Sequence, residues 1–360
     1  MKIRILSLLV SAILVLSLFA GCDKNNVPAV PSTADNESKA TVSFTDDAGR
    51  TVEVPTNITR VSPSGALAQM FLLAIAPDLL ITTAAEYTDA ELAFLPSYIS
   101  DLPVVGQFYG SDNLNYESIA AISPEIVIDV GEPKNTIVED MDSVTTNLAI
   151  PSVHITAALD SSPGAFRTLG KLLGRETEGE NLALYCEEIL AQTADIMNKV
   201  GVNKTSALYC LGDGGLNVLA ATSFHSEVLD YITDNMAVVD EPSSRGTGNE
   251  TDLEQISVWN PSVILFAPNS AYADVASNAT WKELDAVRND SYYEVPHGPY
   301  NWMGSPPSIN RYLGMIWMTK LLYPEYATFD LFDAVAGYYE LFYHHTLTVS
   351  EFDTLTANSL

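Results

Sequence analysis

Residues Glu176 to Val200 read ETEGENLALYCEEILAQTADIMNKV. Leu182, Tyr185, Ile189, Ile196 and Val200 recur at intervals of three, four and seven, which places them on one stripe of an α-helix. Thr177 and Glu180 have the T-x-x-E spacing of a capping box, and Gly201 supplies a stop. At about 1.5 Å per residue the helix spans roughly 36 Å, the height of a small domain. Segments of similar length and mixed strand and helix character flank it on both sides. The stretch therefore reads as a rigid strut joining two lobes, with a ligand held in the cleft between them.

Upstream, residues 41–55 (TVSFTDDAGRTVEVP) alternate on either side of Asp46-Asp47-Ala48-Gly49, a hairpin signal. A short strand at 60–62 opens onto Pro63-Ser64-Gly65 and a helix through Ile75. Strand-like pieces at 79–82 and 103–105 bracket a helix near 88–98. Then NYESIAAISPEIVI, residues 115–128, gives a short helix, a proline break and a buried strand. A helix over 135–148 and a strand over 152–155 complete this half. Strands alternating with helices predict a parallel sheet covered on both faces.

Downstream, residues 206–211 (SALYCL) form a strand, 224–232 a helix and 238–239 a short strand. TDLEQISVWNPSVIL, residues 251–265, then repeats the earlier pattern. In both copies a glutamate stands seven residues before a proline, and an aliphatic run begins two residues after it. Glu117 matches Glu254, Pro124 matches Pro261, and Ile126-Val127-Ile128 matches Val263-Ile264-Leu265. Duplication accounts for the pattern at equivalent points of two α/β segments. Helical spacing follows at 312–323 and, as a last amphipathic helix, at 338–343.

The N-terminus carries an address. Lys2 and Arg4 precede an apolar run over 5–20 that ends at Gly21-Cys22, a charged region, short apolar core and small residues typical of a secretory signal. The run falls short of the roughly 20 residues a membrane span needs. The polar, Pro/Ser/Asn-rich stretch that follows reads as a flexible tether. The expected organisation is a signal over 1–21, a tether over 22–40, a first α/β lobe over 41–158, a linking helical segment over 159–200 and a second α/β lobe over 201–360.

A formal charge of −29 argues against nucleic acid, whose phosphates need basic patches. Of the three cysteines, Cys186 and Cys210 are expected as buried free thiols, and no CxxC metal motif occurs. The five histidines, His154, His225, His297, His344 and His345, show no metal-ligand spacing. No metal site and no catalytic residues are therefore expected. GxSxG, P-loop, HExxH and GxGxxG motifs are missing, which leaves an enzyme, or a chelatase-like one, with little support.

The chain resembles the substrate-binding lipoproteins of ABC importers for iron-siderophore, heme, cobalamin and related metal complexes. The resemblance rests on the lipobox-like Cys22, the opening DDAGRTVEVP, both Glu-x6-Pro units, the linking helix, and the segment WMGSPPSINRYLGMIW over 302–317. It implies a class III periplasmic-binding-protein-like α/β fold: two lobes with mainly parallel sheets joined by one long backbone helix, with limited hinge motion. It also implies lipidation at Cys22 and an extracytoplasmic, membrane-anchored monomer serving an ABC permease dimer with its ATPase subunits. Glu117 and Glu254 would dock into arginine pockets of the permease, since charge-assisted pairs with Arg are directional.

Open α/β sheets bind ligands at loops beyond the carboxyl ends of their strands. Candidates in the first lobe are Ser64, Gln69, Gln107, Tyr109 and Glu132. In the second they are Asp213, Asn217, Arg245, His297, Tyr300 and Trp302. Tyr and Trp offer flat faces to a macrocycle or catecholate, Arg245 could neutralise an anionic chelate, and His297 could ligate a heme iron or cobalt centre. No catalytic cofactor is expected, only a bound metal complex. A molybdate or tungstate receptor of the same fold is the alternative; a receptor for free metal ions ranks lower.

Overall fold

In the computed structural model the described residues run from 40 to 360, so the expected signal, Cys22 and nearly all of the tether lie outside them. The chain enters through a hairpin, β1 (Thr41–Thr45) against β2 (Thr51–Pro55). Gly49 takes φ 79 at the turn, a region glycine enters without steric cost. Next come β3 (Val61–Pro63), α1 (Ala66–Ile75), α2 (Asp89–Leu92), α3 (Tyr116–Ile122), β4 (Ile126–Gly131), α4 (Ile137–Leu148) and β5 (Ser152–Thr156). Strands β3, β4 and β5 lie side by side and parallel. The segments expected as strands at 79–82 and 103–105 contribute only single bridges, Leu80 to Val61 and Thr83 to Val104. The helix expected near 88–98 shrinks to the four residues of α2. Pro96 stands inside that span and pushes the residue before it away from helical geometry.

Two helices follow, α5 (Ser162–Leu173) and the strut α6 (Glu176–Val200). The strut has its expected length, but Thr177 does not cap it. Gly174, at φ 64, ends α5 so close to the new helix that Arg175 becomes the cap and Thr177 falls inside the first turn. Glu180 instead receives a hydrogen bond from Arg167 of α5 at 2.8 Å. The helices meet across glycine: a Cβ on Gly179 would stand 2.6 Å from the Phe166 carbonyl oxygen.

The second half contains β6 (Ser206–Leu211), β7 (Asn217–Val218), α7 (Glu227–Ile232), β8 (Asp234–Asn235), β9 (Asn249–Glu250), α8 (Leu253–Trp259), β10 (Val263–Phe266), α9 (Tyr272–Val275), α10 (Asp285–Arg288) and β11 (Tyr292–Glu294). Helices α11 (Arg311–Leu322), α12 (Leu331–Tyr338) and α13 (Val349–Leu355) close the chain. The sheet runs β11-β10-β6-β7-β9, with β8 also on β6; β11, β10, β6 and β8 are parallel. The strand expected at 238–239 does not form. Pairing falls on β8 instead, where Asn235 hydrogen-bonds Asp230 at 2.7 Å, and Val238 is left 73% exposed. The aromatic helix expected last is α12 with a π-helical turn at Tyr339–Tyr343, and α13 still follows.

Strand side chains alternate between faces, and both sheets use this in the same way. Ile126, Ile128 and Val130 of β4, Ala207, Tyr209 and Leu211 of β6, and Val263 and Leu265 of β10 all enter one continuous core. The buried stripe of α6 (Leu182, Cys186, Ile189, Ile196, Val200) enters it too. The opposite faces serve local cores: Val127 packs with Ile119, Met141 and Val144, whereas Leu208, Ile264 and Phe266 pack with Ile256 and Trp281. Each sheet thus has a private core outside and a shared core against the helical layer.

The sequence repeat is also a structural one. Helices α3 and α8 are each capped by an Asx side chain, Asn115 accepting from the Ser118 N–H and Asp252 from the Gln255 N–H, at 2.9 and 2.8 Å. Glu117 and Glu254 occupy the same exposed position in the first turn. Both helices bury an isoleucine, Ile119 or Ile256, and end in a left-handed residue, Ser123 or Asn260, directly before the proline.

Gly179→Ala should destabilise the protein by about 1–3 kcal/mol in urea unfolding, because α5 and α6 cannot part without disturbing the shared core. Gly164→Ala in α5, where an added Cβ meets nothing within 4 Å, should stabilise it by about 0.5–1 kcal/mol.

Candidate ligand cleft

Helix α1 is apolar apart from Gln69, which is 2% exposed. A buried carboxamide needs partners, and here they come from both lobes. Its oxygen accepts from the Ala84 N–H; its nitrogen donates to the Tyr87 hydroxyl and lies 3.4 Å from that of Tyr300. Tyr87 and Tyr300 share a further hydrogen bond, with rings packed edge to face at 6.0 Å. Tyr300 sits in the loop after β11, so this triad links the two halves of the chain. Burial, and then the neighbouring Tyr300, push the Tyr87 hydroxyl well above its usual range, and burial raises Tyr300 to about 12. Both phenols therefore stay neutral donors across the physiological range.

Three further ties accompany the triad. The Ser308 hydroxyl donates to the Leu67 carbonyl at 3.2 Å, and His297 meets Glu91 at 2.9 Å. Arg311 is 1% exposed, pairs with Glu227, and lies 4.9 Å over the Phe224 ring. Burial raises the Glu227 carboxyl despite Arg311 and a hydrogen bond from the Leu159 backbone, so this pair reaches the junction of β5 and α5 where the chain leaves the first lobe.

A polar ladder crosses the carboxyl end of the first sheet. The Ser64 hydroxyl donates to one oxygen of Asp129, whose other oxygen is 2.6 Å from His154 Nδ1; all three are buried. The hairpin turn pins the far side, with Asp46 accepting from the His154 N–H at 3.2 Å and Asp47 from the Thr156 N–H at 2.8 Å. A lone aspartate within an aliphatic strand, IVIDVG, was the signal in the sequence for this ladder.

Between the Thr88–Phe94 stretch of the first lobe, the Glu294–Gly298 stretch of the second and α13 lies a cavity of about 420 Å³. Two capping boxes border it, Thr88 with Glu91 and Thr348 with Glu351. The T-x-x-E spacing marks both in the sequence. Among the described residues no group of three His, Cys, Asp or Glu could hold a metal ion, and no helix is long and apolar enough to cross a membrane.

The expected site residues fall into four groups. Ser64, Gln69, Tyr300 and Trp302 are buried; Trp302 is fully so, with its indole N–H 3.4 Å from the Tyr339 hydroxyl. They are not a free lining, and Trp302 presents no open face, because the loop after β11 turns inward and burying such rings is strongly favourable. Gln107 and Tyr109 are half-buried: the Phe108 N–H donates to the Ser64 carbonyl, and the Tyr109 hydroxyl donates to Asp140 at 2.8 Å. Glu132, Asp213, Arg245 and His297 are exposed, Glu132 pairing with Lys134 at 3.0 Å. Asn217 belongs to strand β7 rather than to a loop. Cys186 and Cys210 are buried free thiols, and burial raises both.

Two sheet-centred lobes tied by one long helix, with their strand-end loops meeting over a seam, are the build of a solute-binding receptor. The chain belongs to the periplasmic binding protein family, whose profile matches residues 100–298, more than half of its length. Members of that family are extracytoplasmic solute-binding proteins rather than enzymes. Among solved structures, an ABC transporter solute binding protein from Sulfurospirillum deleyianum is 27% identical with a TM-score of 0.79, covering 88% of this chain and 99% of the other. A molybdate periplasmic binding protein from Haemophilus influenzae, bound to molybdate, is 17% identical with a TM-score of 0.68, covering 85% and 99%. The periplasmic catecholate-siderophore binding protein of Vibrio cholerae is 19% identical with a TM-score of 0.51, covering 71% and 91%. No curated protein matches the sequence.

Tyr300→Phe should cost about 1–2 kcal/mol, because it removes one partner from a buried triad. Tyr300 is raised on folding, so its share of stability is complete below pH 10 and is lost as pH rises toward about 12. Unfolding free energies over that range should fall less steeply in the Phe variant.

Proposed function

We propose that this protein is the extracytoplasmic receptor of an ABC importer that captures a metal complex of the iron-siderophore, heme or cobalamin type between its lobes and delivers it to the permease. The duplicated Asx-capped helix carries this reading. It sets one glutamate, Glu117 or Glu254, at the same exposed place on each lobe. Two carboxylates held at a separation fixed by lobe position can report closure to an arginine-bearing partner. Cargo binding displaces the Gln69–Tyr87–Tyr300 contact, with Gln107, Tyr109 and Arg245 at the mouth. The lobes correspond to residues 41–158 and 201–360, linked through 159–200. Lipidation at Cys22 anchors the receptor, which acts as a monomer.

Molybdate or tungstate is the second reading, favoured by the fold shared with a molybdate-binding protein. Native mass spectrometry of protein purified from its own host separates the two: an organic metal complex supports the first, a bare oxyanion the second.

Charge reversal at both Glu117 and Glu254 should abolish uptake through the reconstituted importer while leaving cargo affinity unchanged. Lost affinity with normal uptake per bound cargo would refute the docking role.

A further inference from the structure

The segment WMGSPPSINRYLGMIW stands out in the sequence, and its asparagine has no part in the cleft described so far. The chain between β11 and α11 is irregular, yet much of it is buried, Asn301 at 3% exposure and Asn310 at 0%. Buried backbone outside helices and strands needs hydrogen-bond partners, and two asparagine side chains supply them. Asn301 Oδ1 accepts from the Met303 and Gly304 N–H groups at 2.8 and 3.2 Å. Its amide nitrogen donates to the Tyr209 hydroxyl of β6 at 2.8 Å. Asn310 donates to the Asn301 carbonyl and, at 3.0 Å, to that of Pro306, while its oxygen accepts from the Ser308 N–H at 3.0 Å.

Asn310 stands immediately before α11, where an asparagine ordinarily accepts from an N–H of its own helix. Here the side chain turns back into the preceding loop. A helix cap needs only an acceptor, which aspartate or serine would supply; this position uses both donors and the acceptor of one short carboxamide. The loop it grips carries two of the ties to the first half. Tyr300, next to Asn301, meets Gln69 and Tyr87, and Ser308 donates to the Leu67 carbonyl.

We propose that Asn310 is a positioning residue for cargo capture: through Asn301, Pro306 and Ser308 it sets the shape of the loop, so that this wall of the cleft stands ready before cargo arrives. Gln69 supplies the partner on which the loop docks, and Asn310 the form in which it docks. A preformed wall spares binding the cost of ordering the loop. The bearing on cargo rests on the cleft proposed above; the grip on the loop does not, so a cargo bound elsewhere would refute the one and leave the other.

Hydrogen exchange by mass spectrometry on the cargo-free full chain tests it, with Asn310→Asp, which keeps the acceptor and loses both donors, and the milder Asn310→Ser. In either variant the amides of 300–308 should exchange at least about tenfold faster, while those of α11 from Met315 onward stay unchanged. Carbon NMR of labelled tyrosine gives a second readout. Burial raises the Tyr300 phenol to about 12, and a loosened loop should bring its titration down toward the ordinary 10.0. Gly179→Ala, which loosens the α5–α6 contact instead, should move neither. Loop exchange unchanged in both variants, exchange that rises equally in loop and helix, or a Tyr300 titration that stays in place in both would overturn the proposal.

Discussion

Gln69 lies in a helix that is otherwise wholly apolar, so its amide has to be satisfied inside the protein or it costs the full desolvation of a polar group, about 1–3 kcal/mol. The first lobe supplies the Ala84 N–H and Tyr87; the second supplies Tyr300. One buried carboxamide thereby fixes how the lobes meet. The loop after β11 must come inward to bring Tyr300 there, which buries Trp302 and sets His297 against Glu91 at the edge.

Behind this seam the lobes are not independent bodies. The inward faces of β4, β6 and β10 and the stripe of α6 belong to one apolar core, so any opening has to pivot on that core rather than separate two globules. The Arg311–Glu227 pair reaches the β5–α5 junction beside that core.

Elements with regular apolar spacing could be read directly. Strut α6 and strand β6 have the ends their patterns predict, and the paired Glu-x6-Pro units lie at equivalent points of two sheets. What failed depended on neighbours in space. Thr177 resembles a cap, but the tight α5–α6 turn takes the cap position from it, while the capping boxes at Thr88 and Thr348 precede helices too short to show a period. The burial of Tyr300 and Trp302 is not legible locally either. Which way such a loop turns is decided by a partner two hundred residues away, Gln69, and no local pattern records it. The shared core escaped notice for the same reason, since alternation shows that a strand has two buried faces but not which core each one joins.

Both sheets are held by one core. Native-state hydrogen exchange across a denaturant series measures this directly, through the amides of Val127 and Val130 in β4 and of Ile264 and Leu265 in β10. A common core predicts that all four exchange through one global opening, with equal free energies and equal denaturant dependence. Exchange of one sheet through an opening that leaves the other protected would contradict it.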